Sequence, residues 1–247
     1  MPRFFLPRIG ADGILTITGQ DARHIGLSLR MAVGEKITVC DLSACRAYAA
    51  VIDGIAPDCV SCHTVGELEN SGEPPYAVTL FQGLPKSDKM DTIVQKAVEC
   101  GCVRIRPFES RNCMIRLKNA DTEKKTARWQ RIAEEAAKQC GRSFVPEILS
   151  PVRFADLPDE LKGYDLILFC YEGETGTSIR QKLDSIPSVP KRIALVVGPE
   201  GGFDPSEADR IEAAGGTSVT LGPRILRAET ASSVALSQLS YAFELDR

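Results

Sequence analysis

Several features that would assign a protein class are missing from this chain of 247 residues. It contains no run of 18 apolar residues, so the sequence predicts no membrane-spanning helix. Its first residues, Met1–Arg8, are short and interrupted by proline, unlike a signal peptide, and we expect a cytoplasmic protein. With only 2 histidines and no pair of cysteine half-sites, the sequence predicts no metal centre.

Excess positive charge is also missing, because the net charge is −3 and the isoelectric point about 5.6. This argues against a protein that coats nucleic acid through bulk charge, but it leaves room for a local basic patch. The basic residues fall into two sets, which predict either solvated faces or a polyanionic partner: Arg104, Arg106, Arg111, Arg116, Lys118, Lys124, Lys125, Arg128 and Arg131, and then Arg3, Arg8, Arg23 and Arg30.

The 9 cysteines of so long a chain are interpreted as reduced thiols rather than as a disulfide framework. The segment Cys59–His63 matches the C-x-x-C-H pattern of haem attachment. Its alternation is that of a strand, with Cys59 and Ser61 on one face and Cys62 on the other. We therefore interpret these cysteines as structural.

A boundary is predicted near residue 72, within the linker-like segment Ser71–Pro75. We expect one domain over residues 1–72 and another over 73–247. In the first, four short β-like segments separated by Gly, Asp and Pro turns indicate a small β-barrel: Ile14–Thr18, Lys36–Cys40, Tyr48–Ile52 and Cys59–His63.

The second domain alternates apolar runs with amphipathic segments, which predicts an α/β fold with a mostly parallel sheet. The helices are marked by stripes such as Met90–Val98, with Ser87 as a predicted N-cap and Gly101 as a stop. The predicted strands are Ala77–Phe81, Val103–Ile105, Leu166–Cys170, Ile193–Val197 and Val219–Leu221.

A glycine-rich loop, Gly198–Phe203, follows one of these strands. It precedes a helix that Asp204 is expected to cap, with Pro205 in its first turn and Glu207 completing a capping box. Glycine lets the backbone approach a ligand closely. The loop contains neither a dinucleotide fingerprint nor a phosphate-binding Gly-Lys-Ser/Thr, and a tight turn without ligand is the alternative.

Two further loops follow strands in the same way. Leu221–Ala231 links a strand to the final helix, and Cys170–Gly176 follows another strand. Ligands of open α/β sheets collect at the carboxyl ends of strands, so the three loops predict one pocket.

Taken in order, these segments resemble the RsmE family of bacterial 16S ribosomal RNA uridine-N3 methyltransferases, within the SPOUT superfamily. The resemblance covers essentially the whole chain. Two positions depart from the family pattern, Ser87 in place of a frequent glycine and Lys138 in place of a frequent glutamate. The residues that carry the resemblance are Arg3–Phe5, His24–Arg30, Lys86–Met90, Gln95–Ala97, Glu135, Ala136, Gln139–Arg142, Gly198–Phe203 and Leu221–Ala231.

This resemblance implies a PUA-like RNA-binding barrel followed by an α/β domain with a C-terminal trefoil knot. It also implies a homodimer that uses S-adenosylmethionine and acts on 16S ribosomal RNA, which we expect to be within the 30S subunit because the chain is acidic. The residues expected to hold the cofactor are Tyr171, Val197, Gly198, Pro199, Glu200, Gly201, Gly202, Leu221, Gly222, Ile225, Leu226 and Ala231.

For catalysis, we hypothesise that Arg227 stabilises negative charge on the deprotonated uracil, and that Glu200 or Glu229 orients the base or accepts its proton. The residues predicted to bind RNA are Arg3, Arg30, Lys86, Lys89, Arg142 and Arg227. Three alternatives stay open at this point. They are a nucleotide-dependent oxidoreductase, a non-catalytic RNA-binding factor, and a SPOUT enzyme acting on transfer RNA or on a ribose hydroxyl.

Overall fold

A computed structural model describes residues 1–69, 72–116, 119–174 and 176–245. Ser71, Lys118 and Thr175 of the segments discussed above lie outside these ranges. The chain divides into two compact units, Met1–Glu73 with Ala137–Val145, and Pro74–Ala136 with Pro146–Arg247. Residues 137–145 therefore cluster with the first unit, which a single boundary near residue 72 does not describe.

The first unit is built on a five-stranded sheet in the order β1-β3-β4-β5-β2. Neighbouring strands are antiparallel except for β1 and β3, which are parallel. Alternate side chains such as Leu15 and Ile17 point into an apolar core, as the period of two predicts. The strands are β1 (Arg3–Leu6), β2 (Ile14–Thr18), β3 (Lys36–Asp41), β4 (Arg46–Ala56) and β5 (Cys59–Glu67). A short helix, α1 (Gly19–Arg23), follows β2.

The second unit contains a seven-stranded parallel sheet, which confirms the predicted α/β fold. Its main order is β12-β10-β11-β6-β7-β8, and β9 also pairs with β7. Continuous apolar strands such as β10 are fully buried, as expected when helices cover both faces. The strands are β6 (Ala77–Gly83), β7 (Arg104–Glu109), β8 (Glu147–Ile148), β9 (Val152–Arg153), β10 (Leu166–Cys170), β11 (Arg192–Val197) and β12 (Thr217–Val219).

Helices connect these strands: α2 (Lys89–Glu99), α3 (Asn119–Cys140), α4 (Leu157–Glu160), α5 (Ile179–Asp184), α6 (Pro205–Ala213) and α7 (Ala228–Ser240). The predicted capping box of α6 is confirmed, because Asp204 accepts from the first turn and Glu207 accepts from the Asp204 N–H. Gly101, with φ of +83°, follows the end of α2 as predicted.

Several local predictions were wrong. Ser87 does not cap α2, because it adopts a left-handed φ of +55° and the helix begins at Lys89 after Asp88. The spacing of Trp129, Ala133, Ala137 and Cys140 predicts one apolar stripe on α3, but Cys140 is exposed. The final strand ends at Val219 rather than Leu221, which leaves Thr220 and Leu221 to the following loop. No disulfide joins any of the 9 cysteines, all of which lie in the described ranges. In the described part of the chain, no helix combines the length and apolar character needed to cross a bilayer.

Candidate active site

A cavity of about 810 Å³ opens at the carboxyl ends of β10, β11 and β12. Three loops surround it, and they are the loops that the sequence predicted to share one pocket. Every residue expected to hold the cofactor lines this cavity, from Tyr171 to Ala231. Further lining residues lie on the same loops, or next to them, without an individual role predicted from the sequence, including Glu172, Glu174, Thr220, Pro223, Arg224 and Ala228.

The glycine loop after β11 has no space for a side chain at two of its glycines, because neighbouring groups lie too close. A Cβ atom on Gly198 would lie 2.7 Å from the Phe203 ring. On Gly202, whose φ is +63°, it would lie 1.6 Å from Oε1 of Glu172. The backbone of this loop is therefore directly accessible at the cavity wall, as a ligand that contacts peptide groups requires.

Two side chains hold the same loop from β6 and from the segment after β7. Nε2 of the buried Gln82 donates to the Gly198 carbonyl oxygen at 3.2 Å. Nδ2 of Asn112 donates to the Gly201 carbonyl oxygen at 3.0 Å. Sequence analysis missed both residues, because neither stands in a local motif and both contacts depend on how the strands are ordered.

A charged cluster joins the start of α2 to the glycine loop. Nζ of Lys89 lies 2.8 Å from Oε1 of Glu200 and 3.5 Å from Oε2 of Glu229. The Lys86 backbone N–H also donates to both Glu200 oxygens, at 3.1 and 3.2 Å. Both candidate catalytic carboxylates thus share one ammonium group. Oε2 of Glu229 is buried and makes no hydrogen bond with the described residues.

These contacts lower the pKa of Glu200 and raise the pKa of Lys89. Partial burial raises the pKa of Glu200, but hydrogen bonds from Lys89 and the Lys86 backbone outweigh it, and the pKa ends below its usual value. The hydrogen bond to Glu200 raises the pKa of Lys89 against a smaller desolvation effect. Glu200 is therefore held as a carboxylate, and Lys89 as an ammonium, throughout the neutral range.

Arg227 lies on the opposite loop, at the N-cap of α7. Its side chain is exposed and lines the cavity, together with Ile225, which is 93% exposed. The Arg227 side chain has no hydrogen bond or ion pair with any described residue. Its guanidinium is therefore available to a ligand that enters the cavity mouth.

The other residues predicted to bind RNA occupy different settings. Lys86 and Arg30 are exposed, and Arg30 adopts a left-handed φ of +52°. Within the first unit, Arg3 donates from Nη1 to the Arg142 carbonyl oxygen at 2.9 Å. The Arg142 side chain is only 3% exposed and pairs with Glu73 at 2.5 Å, so phosphate could reach it only if that pair opened.

Comparison with known proteins places the chain in a family. A family model described as an RNA methyltransferase domain matches residues 72–240. The chain is 34% identical over 254 residues to the ribosomal RNA small subunit methyltransferase E of Bacillus subtilis, covering 100% of this chain and 99% of that protein. The chain belongs to the ribosomal RNA small subunit methyltransferase E family. This confirms the resemblance inferred from the motifs and shows that the chain is a methyltransferase.

Solved structures agree with this family assignment. The Neisseria gonorrhoeae ribosomal RNA small subunit methyltransferase E, bound to S-adenosyl methionine, superposes with a TM-score of 0.86 at 30% identity over 98% of both chains. A Legionella pneumophila methyltransferase in complex with the same cofactor gives 0.85 at 30% identity over 97% of both chains. Among the described residues of this methyltransferase, no group of three or more His, Cys, Asp or Glu side chains could hold a metal ion.

Proposed function

We propose that this methyltransferase uses S-adenosylmethionine to methylate N3 of one uridine in 16S ribosomal RNA. The observation that carries the proposal is the arrangement of the cavity. Its walls include glycine backbone and apolar side chains together with the charged Arg227 and Glu200, and Glu200 pairs with Lys89, which also contacts Glu229. Full-length similarity to ribosomal RNA small subunit methyltransferases E supports the substrate class.

The cavity has the size and chemistry that S-adenosylmethionine requires. Its volume is that of a site for a ligand of this size, and its apolar lining from Val197, Leu221 and Leu226 suits an adenine ring. The narrow glycine loop offers peptide groups for hydrogen bonds at close range. When bound, the cofactor supplies a methyl group on a positively charged sulfur, and the twelve lining residues named from the sequence would hold it.

The residues at the cavity edge account for the activation of uracil. N3 of uracil carries a proton and is a poor nucleophile until that proton leaves. The exposed guanidinium of Arg227 stabilises the negative charge that develops on the base. Of the two carboxylates, Glu200 is already engaged by Lys89 and the Lys86 N–H, so it positions the loop. Glu229 keeps an oxygen without a hydrogen bond and is the better candidate to orient the base or accept its proton.

N3 of the target uridine must be accessible before it can be methylated. A paired or stacked uridine cannot enter the cavity, so the target nucleotide must be flipped out of its stack.

We propose that residues 1–72 form a PUA-like barrel that binds neighbouring RNA through Arg3 and Arg30. We also propose that residues 73–247 form a SPOUT domain with a C-terminal trefoil knot. Lys86 and Lys89 complete the proposed RNA surface, whereas we propose a structural role for Arg142, whose buried side chain pairs with Glu73.

We further propose that the enzyme acts in the cytoplasm, as a homodimer, on the 30S subunit. The net charge of −3 supports a structured ribonucleoprotein target, since bulk attraction to RNA is absent. Symmetric dimers are also the commonest oligomers of soluble proteins. Sedimentation of the full chain would give the oligomeric state directly.

Nucleoside mass spectrometry of 16S ribosomal RNA tests the proposed reaction. Cells that lack this protein should lose 3-methyluridine from 16S RNA, and the wild-type chain should restore it. A persistent 3-methyluridine signal would overturn the proposal, and so would loss of a methylated nucleoside from transfer RNA or of a ribose methylation instead. Titration with S-adenosylmethionine and with NADH separates methyl transfer from an oxidoreductase activity.

A further inference from the structure

A second cleft, of about 450 Å³, lies in the same unit as the cavity but is lined by other residues. Its walls come from the segment after β7, from β9 with the residues that follow it, and from the start of α6. Four arginines line it, Arg111, Arg116, Arg153 and Arg210. No motif predicted this cleft, although two of these arginines belong to the basic set noted in the sequence.

The basic and acidic side chains of the cleft differ in how far they are exposed to solvent. The guanidinium-bearing side chains are outermost, with exposures of 72% for Arg111 and 55% for Arg116. The acidic groups lie deeper, since the Glu109 side chain is 18% exposed and Glu207 is buried. A large anion approaching from solvent therefore meets the arginines first, and the carboxylates act mainly to orient them.

Two of the arginines are held in place by backbone carbonyl oxygens, and Nη1 of Arg116 also lies 3.9 Å from Oε2 of Glu109. Arg116 donates to the carbonyl oxygens of Ser110 and Arg111, at 2.7 and 3.2 Å. Arg210 donates to the Ala155 carbonyl oxygen at 3.0 Å and stacks over the Phe154 ring at 5.3 Å. Side chains held in this way lose less conformational entropy when they bind a ligand.

Arg153, the fourth arginine of the cleft, differs from the other three in having a side chain without a partner among the described residues. Its side chain is exposed, lines the cleft, and forms no hydrogen bond or ion pair with any described residue. A guanidinium offers five N–H donors in a planar fork that matches two oxygens of one phosphate group. Four guanidiniums around one cleft, with that of Arg153 unengaged by the described residues, form a site for an anion such as a phosphate group rather than for an apolar ligand.

The cleft adjoins the glycine loop of the active site. Arg111 lines the cleft, and the next residue, Asn112, binds the Gly201 carbonyl oxygen at 3.0 Å. Arg111 also pairs with Asp204 at 3.0 Å, directly after the loop ends. A nucleotide that enters the cavity would therefore have its flanking backbone within reach of this cleft.

We infer that the cleft binds a backbone phosphate of the RNA strand that carries the target nucleotide. The inference rests on the proposed function, and it adds a contact region that the predicted RNA-binding residues do not include. The cleft adds affinity and fixes the direction of the strand, while the cavity selects the base.

Binding of 30S subunits with unmethylated 16S RNA, measured over a series of salt concentrations, tests this inference. We expect Arg153→Gln to weaken binding about threefold to tenfold at low salt, and to reduce the slope of log Kd against log salt by about one. The double variant Arg116→Gln with Arg153→Gln should show a larger loss of affinity and a larger reduction of the salt slope. The control is Arg104→Gln, an exposed arginine at the opposite end of β7, which should match the wild type.

Two further measurements distinguish a failure of this inference from a failure of the proposed function. Cofactor affinity should not change in any of these variants, because the cleft lies outside the cavity, and thermal unfolding should not change in Arg153→Gln, whose side chain has no hydrogen bond or ion pair with the described residues to lose. If Arg153→Gln and the double variant kept the wild-type affinity and salt slope while the enzyme remained active, the inference would be overturned and the proposed function would stand. If inorganic phosphate bound the cleft in NMR titrations while both cleft variants kept the wild-type RNA slope, the cleft would hold a free anion instead.

Discussion

Nζ of Lys89, in the first turn of α2, lies 2.8 Å from Oε1 of Glu200 in the glycine loop. The contact links two segments that are far apart in the sequence and meet because β6 and β11 are neighbours in the sheet. Since the pKa of Glu200 is lowered and that of Lys89 is raised, the pair stays ionised between the ordinary titration ranges of a carboxyl and an amine.

The first prediction concerns stability in acid. A carboxyl with a lowered pKa in the folded state stabilises the fold above its unfolded pKa of about 4.3, and this contribution is lost as the pH falls through the folded pKa. We expect Glu200→Gln to cost about 1 kcal/mol or less at pH 7, because the group is partly exposed and screened. The difference from the wild type should shrink as the pH falls through the lowered pKa of the folded state. Urea unfolding at several acidic pH values measures it, and a difference that does not shrink as the pH falls would refute the prediction.

The second prediction concerns Gly83, at the end of β6. A Cβ atom there would lie 2.5 Å from the backbone nitrogen of Pro199, next to the glycine loop. We expect Gly83→Ala to destabilise the fold by about 1–3 kcal/mol, as overpacking does. It should also weaken cofactor binding at least tenfold in calorimetry, because the loop backbone must move. Gly66→Ala is the matched control, since its Cβ would meet nothing within 4 Å. Equal cofactor affinity in both variants would contradict the prediction.

The sequence predicts the cavity well because its lining is local. Gly198–Gly202 directly follows β11 and Leu221–Leu226 comes shortly after β12, and only β10, whose own loop completes the cavity, lies between these strands in the parallel sheet. The capping box of Asp204 is equally local. Such features depend on short spacings, which periodicity and residue type encode.

What the sequence could not predict depends on contacts between distant segments. Asn112 and Gln82 reach the glycine loop only because β7, β6 and β11 are adjacent, and no local pattern specifies that order. Strands of two residues, such as β8 and β9, are too short to show a period. Ser87 has the composition of an N-cap but adopts a left-handed conformation, which residue preference alone does not reveal.

The third prediction concerns Arg227. Because its side chain is exposed and unpaired among the described residues, Arg227→Ala should leave thermal unfolding and cofactor affinity unchanged. Methyl transfer in single turnovers should fall about a hundredfold or more, as when one stabilising donor is removed from a developing charge. Arg227→Lys should recover part of the rate, because it restores the charge without the planar fork. Full turnover by Arg227→Ala, with unchanged RNA affinity, would remove its assigned role.

The last prediction separates two roles for Arg142. Its guanidinium is 3% exposed and pairs with Glu73, whose other oxygen accepts from the Ser143 backbone N–H at 3.0 Å. Removal of one member of a buried ion pair leaves the other charge uncompensated, at a cost of about 3–5 kcal/mol. We therefore expect Glu73→Gln and Arg142→Gln to lower the stability of the fold, with the RNA affinity of the remaining folded protein unchanged. Denaturant unfolding and RNA binding below the transition measure the two effects. If Arg142→Gln instead kept the wild-type stability and lost RNA affinity with a flatter salt dependence, Arg142 would be a phosphate contact, as the sequence predicted.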